Sequence, residues 1–139
     1  MKTAEGSYLQ YPFDEEIEQG YFAGYGKIEI HNEMRDDVVR TRAYKDAFDV
    51  GRCGQNKIFL EVGTGSGVLI FDAIRTGEAK TVHAVEASSI IHVAITQIKA
   101  AGFKGVRFYH ARIEDVVLNP TDPQKVDVIY SEFMGYFLL

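Results

Sequence analysis

Three features of the sequence predict an α/β domain built on a partial, doubly wound parallel sheet. After residue 56, short β-rich runs alternate with helical stretches, the pattern of βαβ units. Those runs are apolar without strict alternation, as in Ile58-Phe59-Leu60 and Val126-Asp127-Val128-Ile129-Tyr130, which suits central strands covered by helices on both faces. A glycine-rich loop joins the first run to the first helix, where open α/β sheets place their ligands.

Residues 1–20 are polar and acidic around Asp14-Glu15-Glu16 and Glu18, and Gly20 closes them; they read as a flexible N-terminal segment. Residues 21–50 carry apolar positions Ile28, Ile30, Met34, Val38, Ala43, Ala47 and Phe48 among charged neighbours. That is helical periodicity, best from Glu33 onward and broken near Gly24-Tyr25-Gly26. Gly51 to Asn56 is turn chemistry and opens the α/β part, 51–139. Within it we expect strands at Lys57–Val62, Thr81–Glu86, Val106–His110 and Val126–Ser131, with helices at Val68–Thr76 and Ser89–Ala101. A doubly wound sheet of order 3-2-1-4 sets the first strand beside the fourth.

Composition narrows the function. A chain of 139 residues with 46% hydrophobic residues can bury a core as one domain. No apolar run reaches the roughly 18 to 20 residues of a membrane span, and the first residues lack an apolar signal region. A cytosolic or nuclear location and no membrane partner are therefore expected. The single cysteine, Cys53, allows neither an internal disulfide nor a structural zinc pattern. The net charge of -5 argues against binding duplex nucleic acid and suits a cationic partner.

The chemistry-bearing stretch is Glu61-Val62-Gly63-Thr64-Gly65-Ser66-Gly67, whose glycines let backbone N–H groups approach a ligand. The second strand ends in Val85-Glu86, where an acid can accept hydrogen bonds from both ribose hydroxyls of an adenosine cofactor. The spacing Gly-x-Gly-x-Gly differs from the dinucleotide pattern, and the charge of Glu61 would disfavour a pyrophosphate. S-adenosylmethionine carries an ammonium and a sulfonium, so an acid beside the loop is compatible with it. Glu114, in Arg112-Ile113-Glu114-Asp115, can accept from an adenine amino group, and on position alone it reads equally as a solvated acid.

These residues resemble the protein arginine methyltransferases. The likeness runs through the glycine loop, then His83-Ala84-Val85-Glu86-Ala87-Ser88, then Tyr130-Ser131-Glu132-Phe133-Met134-Gly135-Tyr136. It extends to Tyr21-Phe22-Ala23-Gly24-Tyr25, Ile30-His31-Asn32-Glu33-Met34 and Asp37-Val38-Val39-Arg40-Thr41, which are similar to the family's cofactor-capping helices. The resemblance implies a Rossmann-like class I methyltransferase fold, S-adenosylmethionine as cofactor and arginine-rich proteins as substrates. It implies that Glu61, Gly63, Thr64, Gly65, Gly67, Ala87 and Ile113 border the cofactor, with Glu86 on the ribose and Glu114 on the adenine. Arg40 would pair with the cofactor carboxylate, while Tyr21, Phe22 and His31 close over it. Tyr25, Met34 and Met134 would line the methyl-transfer pocket, and Glu132 would be the first of two glutamates that grip the substrate guanidinium.

Each residue also has a quieter reading: Arg40 paired with Asp36 or Asp37, Tyr21 and Tyr25 as an i,i+4 aromatic pair, His31 as a packed histidine, Met34 and Met134 as core filler. The resemblance further implies that the second glutamate and a C-terminal β-barrel with its homodimerisation arm follow Leu139, so these 139 residues should turn over little substrate alone. Two other functions compete: a non-catalytic cofactor-binding or regulatory module, and a dinucleotide-dependent oxidoreductase.

Overall fold

The computed structural model describes residues 15–50, 56–76, 78–116 and 125–132. Three helices come first: α1 (Glu15–Tyr25), α2 (Ile28–Asp36) and α3 (Val38–Val50). Helix α1 starts inside the segment read from sequence as flexible, so residues 15–20 are helical. The break expected near Gly24–Gly26 is the turn between α1 and α2, closed by Gly26 N–H donating to the Phe22 carbonyl at 2.9 Å. Asp37 starts α3 by accepting the Arg40 backbone N–H at 3.1 Å, an N-cap bond that satisfies one of the helix's unpaired donors.

The alternating part follows as β1 (Ile58–Val62), α4 (Val68–Arg75), β2 (Thr81–Glu86), α5 (Ile91–Ala100), β3 (Val106–His110), a 3-10 turn (Ile113–Asp115) and β4 (Val128–Ser131). The four strands form one parallel sheet in the order β3-β2-β1-β4, the order expected. Leu60 stands opposite His83 on one side and Ile129 on the other. Asp127 anchors β4 at the start of β1, its carboxylate accepting from the Ile58 N–H and its own N–H donating to the Ile58 carbonyl, both at 2.8 Å.

The core lies between one sheet face and the helices. Phe59, Val82 and Ala84 from the strands meet Phe48 of α3, Ile70 and Ala73 of α4, and Ile98 of α5. Phe48 packs edge-on against Tyr130 with ring centroids 5.1 Å apart, which ties the N-terminal helices to β4. Strand β2 is buried on both faces, as expected of a central strand. Strand β4 differs: Ile129 is 67% exposed, so among the described residues its second face is not covered.

Candidate functional site

At the carboxyl ends of the strands one cavity of about 290 Å³ opens between the sheet and the first three helices. It lies near the lower edge of the range for small-molecule pockets, roughly 300–1,000 Å³. Its floor is the turn from β1 to α4. Gly63 and Thr64 donate their N–H groups to the Val85 carbonyl at 2.9 and 3.0 Å, so the turn is lashed to the end of β2. Gly65 has φ +56°, and a Cβ there would lie 2.9 Å from Cε1 of His31. Only glycine lets the loop and α2 approach this closely.

Glu86 binds the loop from the other side. One carboxylate oxygen accepts the Gly65 N–H at 2.9 Å and the other accepts the Ser88 N–H at 2.7 Å. Each oxygen keeps a further lone pair for a ligand hydroxyl. Glu61, at the end of β1, is 1% exposed. Burial pushes its carboxyl up to about 8, opposed by the Thr64 hydroxyl that donates to it at 3.1 Å and by the nearby Tyr130 hydroxyl. The Tyr130 oxygen approaches without closing a hydrogen bond of ordinary geometry. The expectation that a charged Glu61 repels a pyrophosphate is therefore corrected: burial favours the neutral carboxyl at neutral pH, and among the described residues no cation offsets it.

The facing wall comes from the N-terminal helices. Tyr21, Phe22, Tyr25, His31, Met34 and Arg40 all line the cavity, which α/β periodicity alone does not foretell. Tyr21 and Tyr25 also form the i,i+4 pair, with ring centroids 4.6 Å apart. His31 is both buried and cavity-lining; its Nε2–H donates to the Tyr25 carbonyl at 2.7 Å and so joins α2 to the end of α1. The Arg40 guanidinium reaches neither Asp36 nor Asp37. Nη1 donates to the Met34 carbonyl at 3.0 Å, and Nη2 donates to Oε2 of Glu132. Glu132 sits just beyond β4, where the Ser131 hydroxyl holds the Val62 carbonyl at 2.6 Å and keeps the ends of β4 and β1 together.

Glu61, Gly63, Thr64, Gly65, Glu86, Ala87, Ile113 and Glu132 line the same cavity. Two expected residues do not. Gly67 faces α5, where a Cβ would lie 2.9 Å from the Ala94 Cβ, so its lack of a side chain serves helix packing. Glu114 turns its carboxylate to Arg112, whose Nη2 donates to it at 2.7 Å, and that exposed pair lies off the cavity. Met134 and Cys53 lie outside the described residues. Thr41, Tyr44, Leu69 and Ser131 line the cavity without having been singled out. Tyr44 is one helical turn beyond Arg40, and that spacing was the available signal. Burial and the nearby Glu132 raise the Tyr44 phenol above its ordinary range.

Residues 54–135 match the profile of a family described as a methyltransferase domain. The chain is 42% identical over 126 residues to protein arginine N-methyltransferase 1 of Saccharomyces cerevisiae, covering 89% of this chain and 35% of that one. It is also 42% identical over 121 residues to protein arginine N-methyltransferase 1 of Dictyostelium discoideum, covering 86% and 34%. Among solved structures it is similar to Arabidopsis thaliana protein arginine methyltransferase 10, with a TM-score of 0.75, 38% identity, and coverage of 86% and 33%. The Trypanosoma brucei PRMT1 enzyme–prozyme heterotetrameric complex with AdoHcy gives a TM-score of 0.74 and 36% identity, covering 83% and 35%. The chain thus spans about a third of the length of the curated relatives it matches.

Proposed function

The chain belongs to the methyltransferase-domain family, and from that premise we propose that it holds S-adenosylmethionine for methyl transfer to arginine side chains of proteins. One observation carries the reading: the glycine turn, Glu86, Arg40 and Glu132 border a single cavity. The residues suit the cofactor. Glu86 offers lone pairs to two ribose hydroxyls while its other lone pairs brace the loop. Arg40 is the cation for the amino-acid carboxylate, and Tyr21 and Phe22 cover the cleft. The cofactor, when bound, supplies the electrophilic methyl group.

What the chain must do is present a nucleophile. A guanidinium has a pKa above about 12 and is a poor nucleophile unless held and partly neutralised. A carboxylate such as Glu132 can hold two of its N–H groups in a plane, which fixes the direction of the attacking nitrogen. Met34 and Tyr25 shape the wall beside it. Holding donor and acceptor in one cavity can lower the barrier by up to roughly 7 to 11 kcal/mol. The acidic balance of the chain favours arginine-rich partners. The heterotetrameric trypanosome relative supports a multi-chain state for the whole protein.

Calorimetry should detect S-adenosylhomocysteine binding and no NAD binding; the reverse would return the oxidoreductase reading. Label from methyl-tritiated cofactor should reach guanidino nitrogens of an arginine-rich peptide when the chain is fused to the remaining two thirds of a curated relative. Binding without transfer in the fusion would make the chain a cofactor-binding module.

A further inference from the structure

Arg40 and Glu132 are the two charged groups that the proposed function gives to different ligands, yet here they hold each other. Among the described residues the Arg40 guanidinium meets three groups. The Met34 carbonyl takes Nη1, Glu132 takes Nη2, and the Tyr44 ring lies beneath with its centroid 6.0 Å from the guanidinium carbon. A carbonyl, a carboxylate and an aromatic face together make a receptor for a guanidinium ion. The receptor is filled by the chain's own arginine.

We propose that this pair is a latch, in which Arg40 stands in for the substrate guanidinium on Glu132 until the carboxylate of the cofactor competes it away. The inference rests on the functional reading given above and adds an order to it: donor first, acceptor second. Both bidentate edges of a guanidinium include Nη2, the nitrogen that Glu132 holds. A second carboxylate seated on either edge therefore comes close to Glu132, and two like charges there repel. The side chains of the pair are 27% and 14% exposed, so water screens the repulsion only in part. Once Arg40 turns to the cofactor, the Glu132 oxygen that it held is released to accept from the incoming guanidinium.

The test uses two nucleosides that differ in the amino-acid moiety: S-adenosylhomocysteine, which has a carboxylate, and 5′-methylthioadenosine, which has none. Each is titrated calorimetrically into the 139-residue chain and into its Glu132→Gln variant. With the competitor removed, S-adenosylhomocysteine should bind about fivefold more tightly, the gain expected from releasing a partly exposed ion pair. Affinity for 5′-methylthioadenosine should stay the same. Unchanged or weaker S-adenosylhomocysteine binding in the variant overturns the latch and makes Arg40 a bridge or a structural partner. A second measurement needs no variant: the carbon-13 shift of the Glu132 carboxyl should move with S-adenosylhomocysteine and not with 5′-methylthioadenosine. Equal movement with both also overturns it. If neither nucleoside binds, the cofactor reading itself fails; if both bind and Glu132 is silent, only the latch fails.

Discussion

The two walls of the cavity are built by different means. The wall from the β1–α4 turn is backbone: Gly63, Thr64 and Gly65 are tied to Val85 and Glu86 by N–H donors at 2.9 to 3.0 Å. The wall from α1 to α3 is side chain: Tyr21, Tyr25, Met34 and Arg40 reach in from helices that also expose Val38 and Val39, the latter by 82%. A backbone wall has one shape, because its groups are committed to hydrogen bonds within the fold. A side-chain wall can exchange partners, as an arginine shared between a glutamate and a ligand would. The difference assigns shape to the glycine wall and switching to the helical wall.

The contrast is broken most severely at the joint between the two. Phe48 is the buried residue that docks α3 on the sheet against Phe59 and Tyr130. Phe48→Ala should cost about 3–5 kcal/mol in denaturant unfolding, the range for deleting a buried aromatic ring. A loss under about 1 kcal/mol would mean that α3 is held elsewhere, since undocked surface changes stay near 0.5 kcal/mol.

Next comes the buried acid behind the backbone wall. Below its ordinary value of 4.5 the Glu61 carboxyl is neutral in folded and unfolded chains alike. Between 4.5 and about 8 the unfolded chain ionises it and the folded chain does not, so stability falls as pH rises through that window. Glu61→Gln removes the fall. The variant should be more stable than the parent by on the order of a few kcal/mol at pH 8 and nearly equal to it at pH 4. Melting curves across that range check this, and parallel curves at all pH values would contradict the burial argument. A cationic ligand beside Glu61 should restore its charge, so S-adenosylmethionine binding at pH 7 should release a proton, measured by calorimetry in buffers of different ionisation enthalpy.

The smallest effect sharpens the boundary between the walls. Gly65→Ala places a Cβ at φ +56° and against His31, and should cost about 1–2 kcal/mol from the left-handed backbone alone. Because the new methyl pushes on the helical wall, cofactor affinity should fall as well, while Gly20→Ala, which meets nothing within 4 Å, should leave it unchanged. Equal affinities for the two variants would show that loop and helices do not form one site.

Much of this was readable in advance. Parallel strands at Ile58–Val62, Thr81–Glu86 and Val106–His110 follow from apolar runs between helical periods, and Glu86 follows from its distance beyond the glycine loop. Two expected site residues lie off the cavity lining for a local reason. Gly67 shares a motif with Gly63 and Gly65 but faces Ala94 of α5, and Glu114 has Arg112 two residues away. A motif spacing does not say which neighbour a side chain meets.

By itself, then, the sequence determined the alternation of strands and helices, the turn where glycine is needed, and the acid at the end of β2, because each depends on residues close in the chain. Tertiary structure alone decided that Arg40 meets Glu132 across 92 positions and that Glu61 is pushed up to about 8. Ion pairing and desolvation depend on which distant groups share a low-dielectric space, and that is known only once the helices have closed over the sheet.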